Sequence, residues 1–151
     1  YGSFSSLPYI EFCISSLTNP SFAKNNNHIL SASIQYIPYT LKDNEWSDKL
    51  KKDIIKNVTG ILDKYITNFS NNIIDSSLST PLDFESTLNN TEGSFNHGEM
   101  TLDQFLFMRP TISSSQYKTH IKNLFICSPS THPGGGLHGA NAINMINEIT
   151  K

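Results

Sequence analysis

The chain has 151 residues, 37% of them hydrophobic, and a net charge of −2 with acids and bases interspersed. That length suffices for one domain or for parts of two, with a real core. The near-neutral balance argues against a nucleic-acid footprint, and no apolar run approaches the roughly 20 residues that cross a bilayer.

In chain order, Tyr1 to Pro8 show no basic start followed by an apolar stretch, so no secretory signal is read there; a start without Met fits a fragment or a trimmed product. Residues 9–15 combine aromatic and β-branched side chains and predict a strand. Residues 18–27 are turn and polar-loop chemistry. Alternation over 28–39 predicts a second, half-buried strand antiparallel to the first, with Pro38 at its end. Between Glu45 and Phe69, apolar residues at 46, 50, 54, 58, 61, 62, 65 and 69 predict a long core-facing helix.

A weak strand is expected at 73–79, and a helix starting with Thr80 as N-cap and Pro81 at the first helical position. Residues 89–98 read as loop and 101–108 as an apolar segment closing in Arg109-Pro110. A polar loop at 113–118 leads to a last strand at 124–127. The final helix is expected from about Gly136 to Ile149, with Ala142, Met145, Ile146 and Ile149 facing inward.

Chemistry-bearing residues are few. Cys13 and Cys127 lie far apart in apolar runs and read as buried reduced thiols rather than zinc ligands. The five histidines, at 28, 97, 120, 132 and 138, form no same-face helical pair, so no metal site is expected. Three glycosylation sequons, at Asn57, Asn68 and Asn89, follow from the Asn- and Ser-rich composition and carry no weight without a secretory signal. No Gly-x-Ser-x-Gly elbow supports hydrolase chemistry.

The run Thr131-His-Pro-Gly-Gly-Gly-Leu-His-Gly139 stands out because it joins a strand-like segment to a helix start, where bare backbone and helix dipole suit an anionic ligand. It lacks the Lys-Ser/Thr of a P-loop, and the chain ends before the acidic residue of a dinucleotide fingerprint. As a bare pattern it is equally well a tight turn.

Its wording, Phe125-Ile-Cys127 followed by Thr131-His-Pro-Gly-Gly-Gly136-Leu-x-Gly139-Ala, resembles the C-terminal signature of phytoene-desaturase-like FAD-dependent oxidoreductases. His97-Gly98 through Asp103-Gln104 with Arg109-Pro110 resembles a second block of that family. So do Tyr9 to Cys13, Gln35 to Tyr39 and Thr80 to Glu85, and within that family the blocks resemble the pyridine nucleotide-disulphide oxidoreductase domain-containing protein 2 group.

The resemblance implies an α+β or α/β fragment of a two-domain FAD/NAD(P)-binding, Rossmann-like flavoprotein. Residues 1–108 would be the C-terminal part of a substrate domain built on an antiparallel sheet with a helix. Residues 109–151 would be the strand–Gly-loop–helix that returns to the FAD-binding domain, whose N-terminal half is absent here. Implied cofactor contacts are Cys127, Ser128, Thr131, His132, Pro133, Gly134, Gly135, Gly136, Leu137 and Gly139, with the helix from Gly136 facing the flavin; no catalytic residue is assigned. Asp103, Gln104 and Arg109 read as bracing residues, with anchorage of an anionic group the second reading for Arg109. The implied partners are a small, lipophilic substrate and the N-terminal FAD-binding half, in cis or in trans. The implied compartment is cytoplasmic or organellar, the mitochondrial matrix included for a eukaryotic source, and not secretory. The family glycine after the cysteine is Ser128 here, and a helical family glycine is Ala142. The alternative reading is a non-catalytic binding or regulatory protein derived from such an enzyme.

Overall fold

The computed structural model of the chain describes residues 2–42 and 45–151, and it divides into two compact units, 1–80 and 81–151. Both helices and an antiparallel sheet are present, an α+β composition. The 108/109 boundary suggested by the sequence falls inside the second unit.

In the first unit, β1 (Ile10–Ile14) and β2 (Leu30–Ile34) form a two-stranded antiparallel ribbon, with Ile10 opposite Ile34 and Ile14 opposite Leu30. The second strand is shorter than the expected 28–39. Alternation puts Ile10, Phe12 and Ile14 on one face with Ile34, Ala32 and Leu30, and Glu11 and Cys13 on the other with Ser33 and Ser31. Cys13 is therefore exposed, as is Cys127; both are free thiols, and neither is buried as the apolar runs had suggested. A single helical turn, α1 (Ser15–Thr18), follows β1. Its buried Ser16 hydroxyl accepts the Ile29 N–H (3.1 Å) and lies 3.0 Å from His28 Nδ1, which ties the two strands' ends together.

Helix α2 (Asp48–Leu62) starts where the sequence supplies a cap: Ser47 Oγ accepts the Leu50 N–H, with Asp48 in the first turn. Its buried stripe is Ile54, Val58 and Leu62, against which Phe4, Ile10, Ile34, Trp46, Leu50, Phe69 and Leu78 pack. Each of these three side chains contributes about 1.5–3 kcal/mol through burial. The helix stops seven residues before the expected Phe69. Asp63 accepts the Ser70 N–H at 2.9 Å, and Asn68 turns the chain at φ 57°, so the spacing no longer follows a helix and Tyr65 is 82% exposed. Residues 73–79 form no strand among the described residues; they run extended beside α2 without a ladder partner. An open cleft of about 850 Å³ lies along this side of the unit, walled by Leu30, Ile34, Val58, Leu62, Phe69 and Leu78.

The second unit opens with α3 (Pro81–Leu88), whose proline sits at the expected first position. Phe84 meets Phe95 edge to face, with ring centres 4.4 Å apart. Single 3₁₀ turns follow at Leu102–Gln104, Leu106–Met108 and Ile112–Ser114. The strand expected at 124–127 is absent among the described residues: one antiparallel bridge joins Lys118 to Phe125, and no neighbouring strand extends it. Helix α4 (Ala140–Ile149) begins four residues later than expected.

The phase of α4 also differs from expectation, for a physical reason. Asn141 takes the inward position, and Asn144, Met145 and Glu148, three, four and seven residues on, share its side. Ile146 and Ile149, expected inward, are exposed together with Ile143.

Candidate functional site

The glycine turn is held from below by side chains that bond almost entirely to backbone. Thr131 has no solvent exposure, and its hydroxyl donates to Ser128 O at 2.9 Å. From the first turn of α4, Asn141 Nδ2 reaches Ser128 O (2.9 Å), Thr131 O (3.0 Å) and Thr131 Oγ1 (3.1 Å), with His132 O and Gly134 O at 3.4 Å. The buried Tyr117 hydroxyl donates to His132 O at 2.7 Å. Three side chains from separate segments thus fix the backbone of 128–134.

A second loop, 94–100, closes against the turn. A Cβ on Gly135 would fall 1.8 Å from Asn96 Oδ1, so any larger residue there must displace the exposed Asn96 side chain. Gly139 is different: its φ is 66°, and a Cβ there would meet nothing within 4 Å. Beneath both loops lies Arg109, 1% exposed. Its guanidinium donates to Asn96 O (3.0 Å), His97 O (3.3 Å), Glu99 O (3.4 Å) and Pro129 O (3.1 Å), and to Met100 Sδ (2.8 Å). Its Nε is buried with no hydrogen-bond partner among the described residues.

The start of α4 is partly closed by the chain itself. The Ala140 N–H donates to His138 Nδ1 at 3.1 Å, and His138 Nε2 lies 3.2 Å from Gly135 O. The N–H groups of Ala142 and Ile143 both return to Gly139 O. At the far end, the side-chain hydrogen bond from Lys151 holds the Glu148 carboxyl below its ordinary range.

The sequence-derived contact residues therefore fall into two sets. Thr131 and Gly134 are buried and form the bed of the turn, with Ser128, His132 and Pro133 half-buried; Cys127, Gly136, Leu137 and Gly139 are exposed on it. Gly135 is half-buried, its side-chain space filled by Asn96. Asp103 accepts from Thr101 Oγ1 and Gln104 reaches Pro110 O at 3.4 Å, so both act locally. Sequence reasoning missed Asn141, Tyr117 and Asn96. Only the asparagine standing after Gly139-Ala140 offered a signal, since an amide in a helix's first turn has carbonyls of the preceding loop within reach. Among the described residues no group of three His, Cys, Asp or Glu side chains is placed to hold a metal, and no helix is long and apolar enough to cross a membrane.

The donor set fits a flavin-sized anionic cofactor in two respects. An exposed backbone surface, 136–139, follows a braced turn, and a buried cation with an orphaned nitrogen bonds to Pro129 O within the segment that leads into that turn. The chain is 34% identical over 138 residues to rat pyridine nucleotide-disulfide oxidoreductase domain-containing protein 2, covering 91% of this chain and 24% of the relative. The mouse protein of that name is 34% identical over 143 residues, 94% and 25% of the two chains. One of the limonene dehydrogenase subunits of Castellaniella defragrans is 32% identical over 117 residues, 76% and 21% of the two. The chain spans about a quarter of the length of the curated relatives it matches first. No family model and no solved structure matches it. Over nearly its whole length, the chain is homologous to a segment of pyridine nucleotide-disulfide oxidoreductase domain-containing protein 2 and is thereby related to the oxidoreductases.

Proposed function

We propose that the chain is the C-terminal portion of an FAD-dependent, phytoene-dehydrogenase-like oxidoreductase, with 127–139 completing a flavin site whose other contacts come from an N-terminal FAD-binding half. The observation that carries this reading is the braced turn. Thr131, Asn141 and Tyr117 fix 128–134 from inside, while Gly136, Leu137 and Gly139 stay exposed above it. Such a surface lets a planar, partly anionic group lie against backbone without reorganisation, which is how preorganised dipoles act on developing charge. FAD, when bound, supplies acceptance of a hydride at N5; the protein supplies position and field. A small-molecule substrate is supported by the cleft of the first unit, whose volume lies in the range of such sites and whose apolar wall, Leu30, Ile34, Val58, Leu62, Phe69 and Leu78, is completed by polar residues such as Asn26, Asn72, Asp75 and Ser76. In the relatives' context the buried residues, Thr131 and Gly134, support the site, and Cys127, Ser128, His132, Pro133, Gly135, Gly136, Leu137 and Gly139 line it.

The test is the visible spectrum of the natural full-length product, purified with and without added FAD. Gly139→Asn is the informative variant. Asparagine tolerates the left-handed backbone, and its Cβ would meet nothing within 4 Å, so a loss of flavin uptake without a loss of melting temperature reports contact with the cofactor. A folded, colourless protein that takes up no FAD would overturn the reading and favour a non-catalytic binding role.

A further inference from the structure

Arg109 is the one buried cation of the second unit's core, and no carboxylate balances it among the described residues. Its donors go to four carbonyls and a thioether, all neutral, so its charge is solvated by dipoles rather than cancelled. The residues that solvate it are also the ones that meet the glycine turn. Met100 Sδ, 2.8 Å from Arg109 Nη1, lies 3.3 Å from where a Cβ on Gly134 would be. Asn96, whose carbonyl accepts from Nη2, presses its side chain on Gly135. The cation thus lies one residue layer beneath the turn.

The peptide planes extend this effect. In a trans peptide the N–H points opposite to the C=O, so carbonyls of Asn96 and Glu99 aimed at the guanidinium put the N–H groups of His97 and Met100 on the outer side. The start of α4, by contrast, has its first donors engaged by His138 and Gly139. Arg109 adds a full, fixed positive charge beneath the turn.

We propose that Arg109 is a positioning residue that also sets the charge of the site: it holds loops 94–100 and 128–134 together and biases the turn toward a cofactor carrying negative charge. The inference rests on the flavin reading above. It assigns to Arg109 the stabilisation of the reduced, anionic form relative to the oxidised, neutral ring.

The experiment is the reduction potential of the flavin bound to the natural full-length protein, compared with Arg109→Lys, Arg109→Gln and Met100→Glu. Arg109→Gln is expected to make the bound flavin at least tenfold harder to reduce, a fall of about 30 mV for two electrons. Arg109→Lys, which keeps the charge, should stay within threefold of the parent. Met100→Glu leaves the guanidinium and its carbonyl bonds in place but sets a carboxylate against it, and should lower the potential in the direction of Arg109→Gln. Met100 is half exposed, so this variant decides the matter if Arg109→Gln does not fold. An unchanged potential in Met100→Glu, or a fall in Arg109→Lys equal to that in Arg109→Gln, overturns the proposal. A parent protein that binds no flavin overturns the functional reading itself and this inference with it, whereas equal potentials in a yellow parent and its variants overturn this inference alone.

Discussion

Asn141 Nδ2 lies 3.0 Å from Thr131 O and 3.1 Å from Thr131 Oγ1, joining the first turn of α4 to a residue with no solvent exposure. One amide group thereby ties α4 to carbonyls that also accept within the loop or from Tyr117. Asn141→Ala should cost about 1 kcal/mol, the usual net worth of a hydrogen bond whose acceptors keep other donors. Urea unfolding followed by far-ultraviolet circular dichroism measures it. A double-mutant cycle with Thr131→Ala should show coupling; strict additivity would mean the two do not act together.

Gly135→Ala should destabilise the second unit by no more than about 1 kcal/mol, because the new methyl falls on the exposed Asn96 side chain, which must move aside. Asn96→Gly in the same chain clears that space and should restore most of the loss. Melting of the single and double variants distinguishes this clash from a purely conformational effect, which Asn96→Gly would not relieve.

Ile54→Ala should cost about 2–5 kcal/mol, since Ile54 is buried at the centre of the α2 stripe. Tyr65→Ala, at the next expected turns of that stripe, should stay within about 0.5 kcal/mol. Equal costs at both sites would place Tyr65 inside the core and contradict a helix that ends at Leu62.

The Asp63 carboxyl is held below its ordinary value of 3.8, first by the hydrogen bond from the Ser70 backbone N–H and then by the Ser70 side chain. A depressed folded value means the bond stabilises fully above 3.8 and is lost as pH falls through the lower, folded value. The parent should therefore lose melting temperature on acidification below about pH 4. Asp63→Asn should lose less over the same interval, and a parallel loss in both proteins would remove Asp63 from the acid response.

Elements with local causes were legible in the sequence. The α2 stripe, the proline at the start of α3, the antiparallel pairing of residues 9–15 with 28–39 and the position of the glycine turn all follow from spacing or from one residue's conformational demands. What spacing does not encode is where an element yields to a competing bond. Asp63 and Ser70 end α2 through a contact seven residues apart, which no periodicity registers. Residues 73–79 and 124–127 have strand-like composition, but a strand also needs a partner, and that is not a property of the segment. The candidate site was legible as a turn, while its bracing was not: Asn141, Tyr117 and Asn96 act through backbone carbonyls brought near by the fold. The α4 phase was misjudged for that reason, because an amide with several acceptors took the inward position from Ile146 and Ile149.

Trp46 packs against the α2 core in the first unit and donates its indole N–H to Tyr39 O at 3.0 Å; it is the chain's sole tryptophan. Intrinsic fluorescence excited at the red edge of protein absorption therefore reports from residues 1–80 alone. Events at the glycine turn need their own optical probe, such as a flavin's emission or a dye on the exposed Cys127 thiol in a variant whose exposed Cys13 is replaced by serine.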